Sequence, residues 1–214
     1  MDTKFNEKES LALISEMIEQ ARGNIQKGSG NVMIFWGFYI AFIALLNVIL
    51  LLVLPNPNHS FWVWILSFFG WVIDRFLDKK VDKNTIVKTH IDRIITATWK
   101  AMGISIVLFL IIINGYIIAM NVYTEQSFRL SVLITPVIML LTGVAEFITS
   151  KACRFKLFLK GAVIMWAGAL CCLLSYMFFH SYSYITQFII LAICMITGFV
   201  IPGYRLNKSV KKNV

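Results

Sequence analysis

Few residues in this chain could do chemistry, and the first is Glu146, inside an apolar run from Leu130 to Thr149. An ionisable side chain within such a run is expensive to keep, which makes it a candidate for a proton or ion relay unless a partner neutralises it. Lys151 follows five residues later, about 7 Å along a helix, and Lys100 and Lys160 enter their own runs at similar depth. A carboxylate bridged to one of these lysines at the interface is the plainer expectation, and an ion path the sharper one. Asn47 and Asn114 lie near the middle of their runs, and Thr135-Pro136 is expected to interrupt another. Interhelical hydrogen bonds and a proline kink account for these three features at less cost than a substrate path does.

Asp74, Asp78 and Asp82 recur at i, i+4 and i+8, so a helix would place them on one face. Carboxylates in that arrangement at a membrane surface could hold Mg²⁺ on a lipid diphosphate. Arg75 and Lys79 interleave with them, so a solvated face of mixed charge competes with that reading. His59, His90 and His180 do not converge in the sequence, and a zinc site from His59 and His180 lacks a third ligand. Cys153, Cys171, Cys172 and Cys194 read as reduced packing groups; adjacent Cys171 and Cys172 point about 100° apart on a helix and cannot share an ion. The chain holds no HExxH, GxSxG, GxxxxGK[ST] or GxGxxG pattern, which disfavours metalloproteases, serine hydrolases and nucleotide-driven pumps. No catalytic residue, cofactor site or metal site is assigned, and the chain is read as non-enzymatic.

The elements that position these residues follow from composition. The chain is 58% hydrophobic and 14% charged over 214 residues, whereas a soluble domain carries about a quarter charged residues. Its apolar content must face lipid. Continuous apolar runs, without the alternation of barrel strands, predict an all-α polytopic bundle of six transmembrane helices over 31–54, 58–77, 97–120, 130–149, 159–179 and 183–203. The second is the short one, with only thirteen strictly apolar residues from Phe61 to Ile73. Six crossings place nineteen of the twenty Lys and Arg on one side, Arg129 being the exception. The positive-inside rule then puts both termini in the cytoplasm and turns the net charge of +9 into an orientation signal rather than a nucleic-acid one. With no cleavable leader in view, the first span is expected to act as a retained anchor.

Residues 1–30 read as an amphipathic cytoplasmic arm, with Leu11, Ile14, Met17, Ile18, Ala21 and Ile25 at helical spacing and Gly28-Ser29-Gly30 expected to break the helix. Ile86, Val87, Ile91, Ile94 and Ile95 predict that the third helix begins near Asn84, and 204–214 form a basic cytoplasmic tail. Trp36, Trp99 and Trp166 lie near the inner ends of the odd helices, and Gly70, Gly143 and Gly198 near those of the even ones, a weak sign of three helical hairpins. Gly161, Gly168 and Ser175, with Ala167 and Cys171 alongside, and Gly37, Ala41 and Ala44 predict close helix crossings.

Ala21-Arg22 and Lys27-Gly28 before Trp36-Gly37, the stretch from Thr89 to Ile95 leading to Trp99, and Pro202-Gly203-Tyr204 before the basic tail resemble a family of uncharacterised bacterial six-helix membrane proteins. The resemblance spans most of the chain and implies a bacterial inner-membrane location with no assigned reaction. Three functions are carried forward. The first is a scaffold or regulator acting through a protein partner or its own copies. The second is a small-solute or ion carrier with Glu146, Asn47 and Asn114 near its path. The third is an Mg²⁺-dependent lipid-phosphate enzyme on the Asp74, Asp78, Asp82 face. The lipid bilayer is the one partner common to all three.

Overall fold

The computed structural model describes residues 7–82, 90–123, 127–179 and 182–212. They form α1 (Glu7–Val53), a 3-10 segment (Pro57–Ile65), α2 (Leu66–Asp82), α3 (His90–Tyr123), a second 3-10 segment (Ser127–Leu133), α4 (Ile134–Cys153), α5 (Lys156–Phe178), α6 (Ser183–Met195), a π-helical turn (Ile196–Val200) and α7 (Ile201–Lys212). No strand occurs among the described residues. Five stretches are long and apolar enough to cross a membrane: Gly30–Val53, Arg93–Ala119, Leu130–Cys153, Lys156–Phe178 and Ser183–Lys208. Their outer faces carry exposed Phe42, Ile49, Ile112, Leu170 and Ile193, as a multi-pass membrane protein in contact with lipid requires.

The second apolar run departs from a simple span. Its first part tightens into the 3-10 segment, and α2 turns charged after Ile73, so no single helix there is long and apolar enough to count. Phe61 packs edge-on to Tyr184 and Trp64 lies against Phe188, which draws the 3-10 segment onto α6. The Ser67 hydroxyl donates to the Trp64 carbonyl where the two geometries meet.

The arm does not end at its glycines. α1 continues through Gly28-Ser29-Gly30, and the expected break is absent. Glycine inside a helix costs only about 1 kcal/mol, and Gly30 has a packing reason to be there. A Cβ on it would lie 2.8 Å from the Gly203 carbonyl oxygen of α7. One residue on, the Asn207 amide donates to Asn31 Oδ1 at 2.7 Å. Of the arm's expected apolar face, Leu11 is exposed, and the side chains of Ile14, Met17, Ile18, Ala21 and Ile25 lie outside the described residues. Ile86 and Val87 also lie outside them, and described helix resumes at His90.

The core belongs to α1, α4, α5, α6 and α7, with Ala41, Ala44, Met139, Phe158, Met165, Ala169, Cys172, Leu191 and Phe199 in one buried cluster. Gly37 meets Met195, Phe199 and Val200, and Ala41 and Ala44 are buried, so the small-residue face of α1 is confirmed against α6. On α5 the prediction holds for Gly161, Gly168 and Ser175 and fails for Ala167 and Cys171, which face outward. Ala162, Ala169 and Cys172 complete that face instead. Pro136 kinks nothing, because α4 begins at Ile134 and the proline occupies its first turn, where a missing N–H is harmless.

α2 packs on α1, and α3 packs on α4. Nothing in the apolar stretch of α3 is buried. Between α3 and α4 an apolar furrow of about 410 Å³ remains, lined by Ala97, Ala101, Met102, Ser105, Val144 and Ile148. The two helices of each expected hairpin do pack together, α1 on α2, α3 on α4 and α5 on α6, but the tryptophan and glycine marks do not repeat hairpin by hairpin. Gly70 sits against Trp36 and Tyr39, and Gly143 against Trp166, whereas Trp99 packs on Phe199 beside Gly198.

Candidate functional site: a buried carboxyl at a helix discontinuity

Glu146 is fully buried, about 10 Å of helix from the end of α4 at Cys153. Neither of its oxygens has a hydrogen-bond partner among the described residues. The expected lysine bridge is not formed. Lys100 and Lys160 are exposed, and the Lys151 ammonium lies over the Phe147 ring, 5.3 Å from its centre. One turn to either side, the Thr142 and Thr149 hydroxyls are turned back onto Ile138 and Ala145 carbonyls of their own helix. Neither hydroxyl points its proton at the carboxyl.

The wall opposite Glu146 is backbone. A Cβ placed on Gly161 of α5 would lie 2.8 and 2.9 Å from the two Glu146 oxygens and 2.6 Å from the Gly198 carbonyl oxygen. Three oxygens thus crowd the bare Cα of Gly161, two from α4 and one from the π turn. That turn has a local cause. Ile201 N–H bonds the Ile196 carbonyl, five residues back, and Pro202 carries no N–H with which to close an α-helical bond to Gly198. The Gly198 carbonyl therefore lacks its α-helical donor at the level where the carboxyl is buried. Trp99 packs on Phe199 beside this turn, at a ring distance of 5.7 Å.

Comparison with known proteins supplies no family: no family model, curated protein or solved structure matches the chain. The site must be read from its own geometry.

The remaining sequence candidates separate. Asn47 is fully buried on α1, and neither atom of its amide has a partner among the described residues. Asn114 is exposed on α3 and bonds its own helix at the Leu110 carbonyl, so it does not line an interior path. In lipid an outward asparagine satisfies itself this way, and hydropathy cannot tell it from an inward one. Asp74 is half-buried on α2, while the Asp78 and Asp82 side chains lie outside the described residues. The Arg75 guanidinium stacks 5.0 Å from the centre of the Trp71 ring. Among the described residues no group of three or more His, Cys, Asp or Glu is placed to hold a metal. His59 is exposed in the first 3-10 segment, and His180 lies outside the described residues.

Sequence reasoning missed Gln187. It is buried on α6, and its Nε2 donates to the Val132 and Cys172 carbonyls, each at 3.2 Å, tying α6 to α5 and to the approach to α4. A lone glutamine in an apolar run was the available signal.

Proposed function

We propose that the protein is a small proton-linked membrane carrier in which Glu146 takes up and releases the proton. The observation that carries this reading is a fully buried carboxyl with no partner on either oxygen. A bare carboxylate there is too costly to persist, so it must hold a compensating charge. A metal cation the size of Ca²⁺ needs six or more oxygens, and the oxygens that crowd Gly161 are the two of the carboxyl itself and the Gly198 carbonyl. A proton needs no more than that. The partner-based reading lacks any comparable observation in its favour, and so does a lipid-phosphate enzyme on the aspartate face.

In this reading the chain crosses the bilayer six times, with both termini in the cytoplasm. Nine residues of 3-10 helix at about 2.0 Å each, followed by Leu66–Ile73 at about 1.5 Å each, cover roughly 30 Å, the thickness of the hydrocarbon layer. That supports counting the second run as a crossing.

The test uses purified protein in lipid vesicles. Infrared difference spectroscopy should show a protonated carboxyl band that Glu146→Gln removes, and an imposed pH gradient should decay faster with wild type than with the variant. A spectrum without that band, or equal decay in both, overturns the assignment.

A further inference from the structure

Independently of Glu146, the interior of the same three helices brings sulfur together. Met139 of α4, Cys172 of α5 and Cys194 of α6 are all buried. Cys172 Sγ lies 3.8 Å from Met139 Sδ. Met139 Cε and Cys194 Sγ both reach over Gly168, filling the space its side chain would take. None of the four cysteines is disulfide-bonded, and Cys171, one residue from Cys172, faces outward.

We propose that Met139 and Cys172 form a binding site for Cu(I), with the Cys194 thiol beside it. The donor set selects the ion, because thioether and thiolate sulfur are soft ligands suited to Cu(I). Zinc favours cysteine with histidine or carboxylate and fills four positions. No imidazole or carboxylate joins these sulfurs, since the described residues hold no cluster of that composition. The spacing agrees as well. Two sulfurs each about 2.3 Å from a shared ion, at angles near 110–120°, stand about 3.8–4.0 Å apart.

Charge also favours a monovalent ion. Cys172 releases its proton to solvent on binding, and its thiolate, the neutral Met139 thioether and Cu(I) then sum to zero, which a low-dielectric interior tolerates, while Cys194 stays a neutral thiol beside them. The thiols give up only weak contacts, Cys172 Sγ to the Gln187 carbonyl at 3.9 Å and Cys194 Sγ to the Ile164 carbonyl at 3.8 Å.

Anaerobic titration of the detergent-purified full chain with Cu(I), against a chromogenic Cu(I) chelator, tests the site. Wild type should retain one equivalent. Cys172→Ser should weaken retention by at least about tenfold, Cys194→Ser by less, and Cys171→Ser should leave it unchanged. X-ray absorption at the copper edge of the wild-type complex should show sulfur neighbours alone, a readout that does not depend on any variant folding. No retained copper, wild-type retention in Cys172→Ser, or nitrogen and oxygen neighbours at the metal would each mean that the sulfurs only fill space.

Discussion

Replacing Gly161 by alanine is the sharpest single test of the crossing between α4, α5 and α6. In isolation the change favours a helix by about 1 kcal/mol. Here the new methyl would stand 2.6 Å from the Gly198 carbonyl oxygen and under 3 Å from both Glu146 oxygens. Carboxyl oxygens at the end of a side chain can swing aside; a backbone carbonyl in a packed π turn cannot move without α6. Overpacking of this kind costs about 1–3 kcal/mol, so the net effect should be a loss of up to about 2 kcal/mol. For a chain of this length that lowers the melting temperature by up to roughly 4–8 °C. Gly103 and Gly115 supply the control, because a Cβ on either meets nothing within 4 Å. Thermal scans in one detergent should place Gly161→Ala below wild type, with Gly103→Ala at or above it. Adding Glu146→Ala to Gly161→Ala should recover only part of the loss, since the carbonyl contact remains. If Gly161→Ala melts with Gly103→Ala, the α5–α6 approach is looser than described and the site geometry built on it fails.

Asn47→Leu should be neutral or stabilising by about 1–3 kcal/mol, because it removes a buried amide with no partner; a clear loss on urea or thermal unfolding would reveal a partner there. Gln187→Leu should destabilise by about 1–3 kcal/mol, since it deletes two donated hydrogen bonds that tie α6 to the Val132 and Cys172 carbonyls. An unchanged melting temperature would contradict that. Glu146→Gln should fold as well as wild type while losing the carboxyl band, whereas Glu146→Lys should fail to yield monodisperse protein, because a buried ammonium gains no partner; a well-folded lysine variant would show the pocket to be wet. Pro202→Ala restores an N–H four residues after Gly198 and should draw that carbonyl into an α-helical bond. It should raise the melting temperature and slow proton flux together, and a variant with wild-type flux would separate the π turn from function.

What could be read from the sequence, and what could not, follows from the solvent. Span positions are legible because about 20 apolar residues in a row have one use. Which side of a span faces inward is not, because lipid and protein interior are equally apolar and leave no amphipathic stripe. Asn47 and Asn114 looked alike, yet one is buried and the other bonds its own turn. Cys171 and Cys172 are neighbours of one type on opposite sides of α5. Small residues were the usable signal, and Gly37, Ala41, Gly161 and Gly168 did mark crossings. Gly28-Ser29-Gly30 misled because glycine marks both breaks and close approaches, and only the position of α7 separates the two at Gly30. The π turn needed Gly198 and Pro202 to be read together with the carboxyl they face on another helix, a relation no local pattern carries.

The same reasoning explains why chemistry gathers in α4, α5 and α6 rather than in the charged α2 or the long α3. Close crossings in a bilayer need bare backbone, and bare backbone exposes carbonyl oxygen and leaves room for side chains from the neighbouring helix. Gly161 admits the Glu146 carboxyl, and Gly168 admits Met139 and Cys194. The two glycines lie seven residues apart on one face of α5, about 10 Å along the helix. A proton site and a soft-metal site on that face would share the α5–α6 crossing, and the π turn lies at its Gly161 end. Drawing that turn into regular α-helix is then expected to alter Glu146 first and the sulfur site less. The comparison can be made with Pro202→Ala by measuring proton flux and Cu(I) retention on one preparation. Equal effects on both would mean that the crossing moves as a rigid unit rather than opening from the π turn.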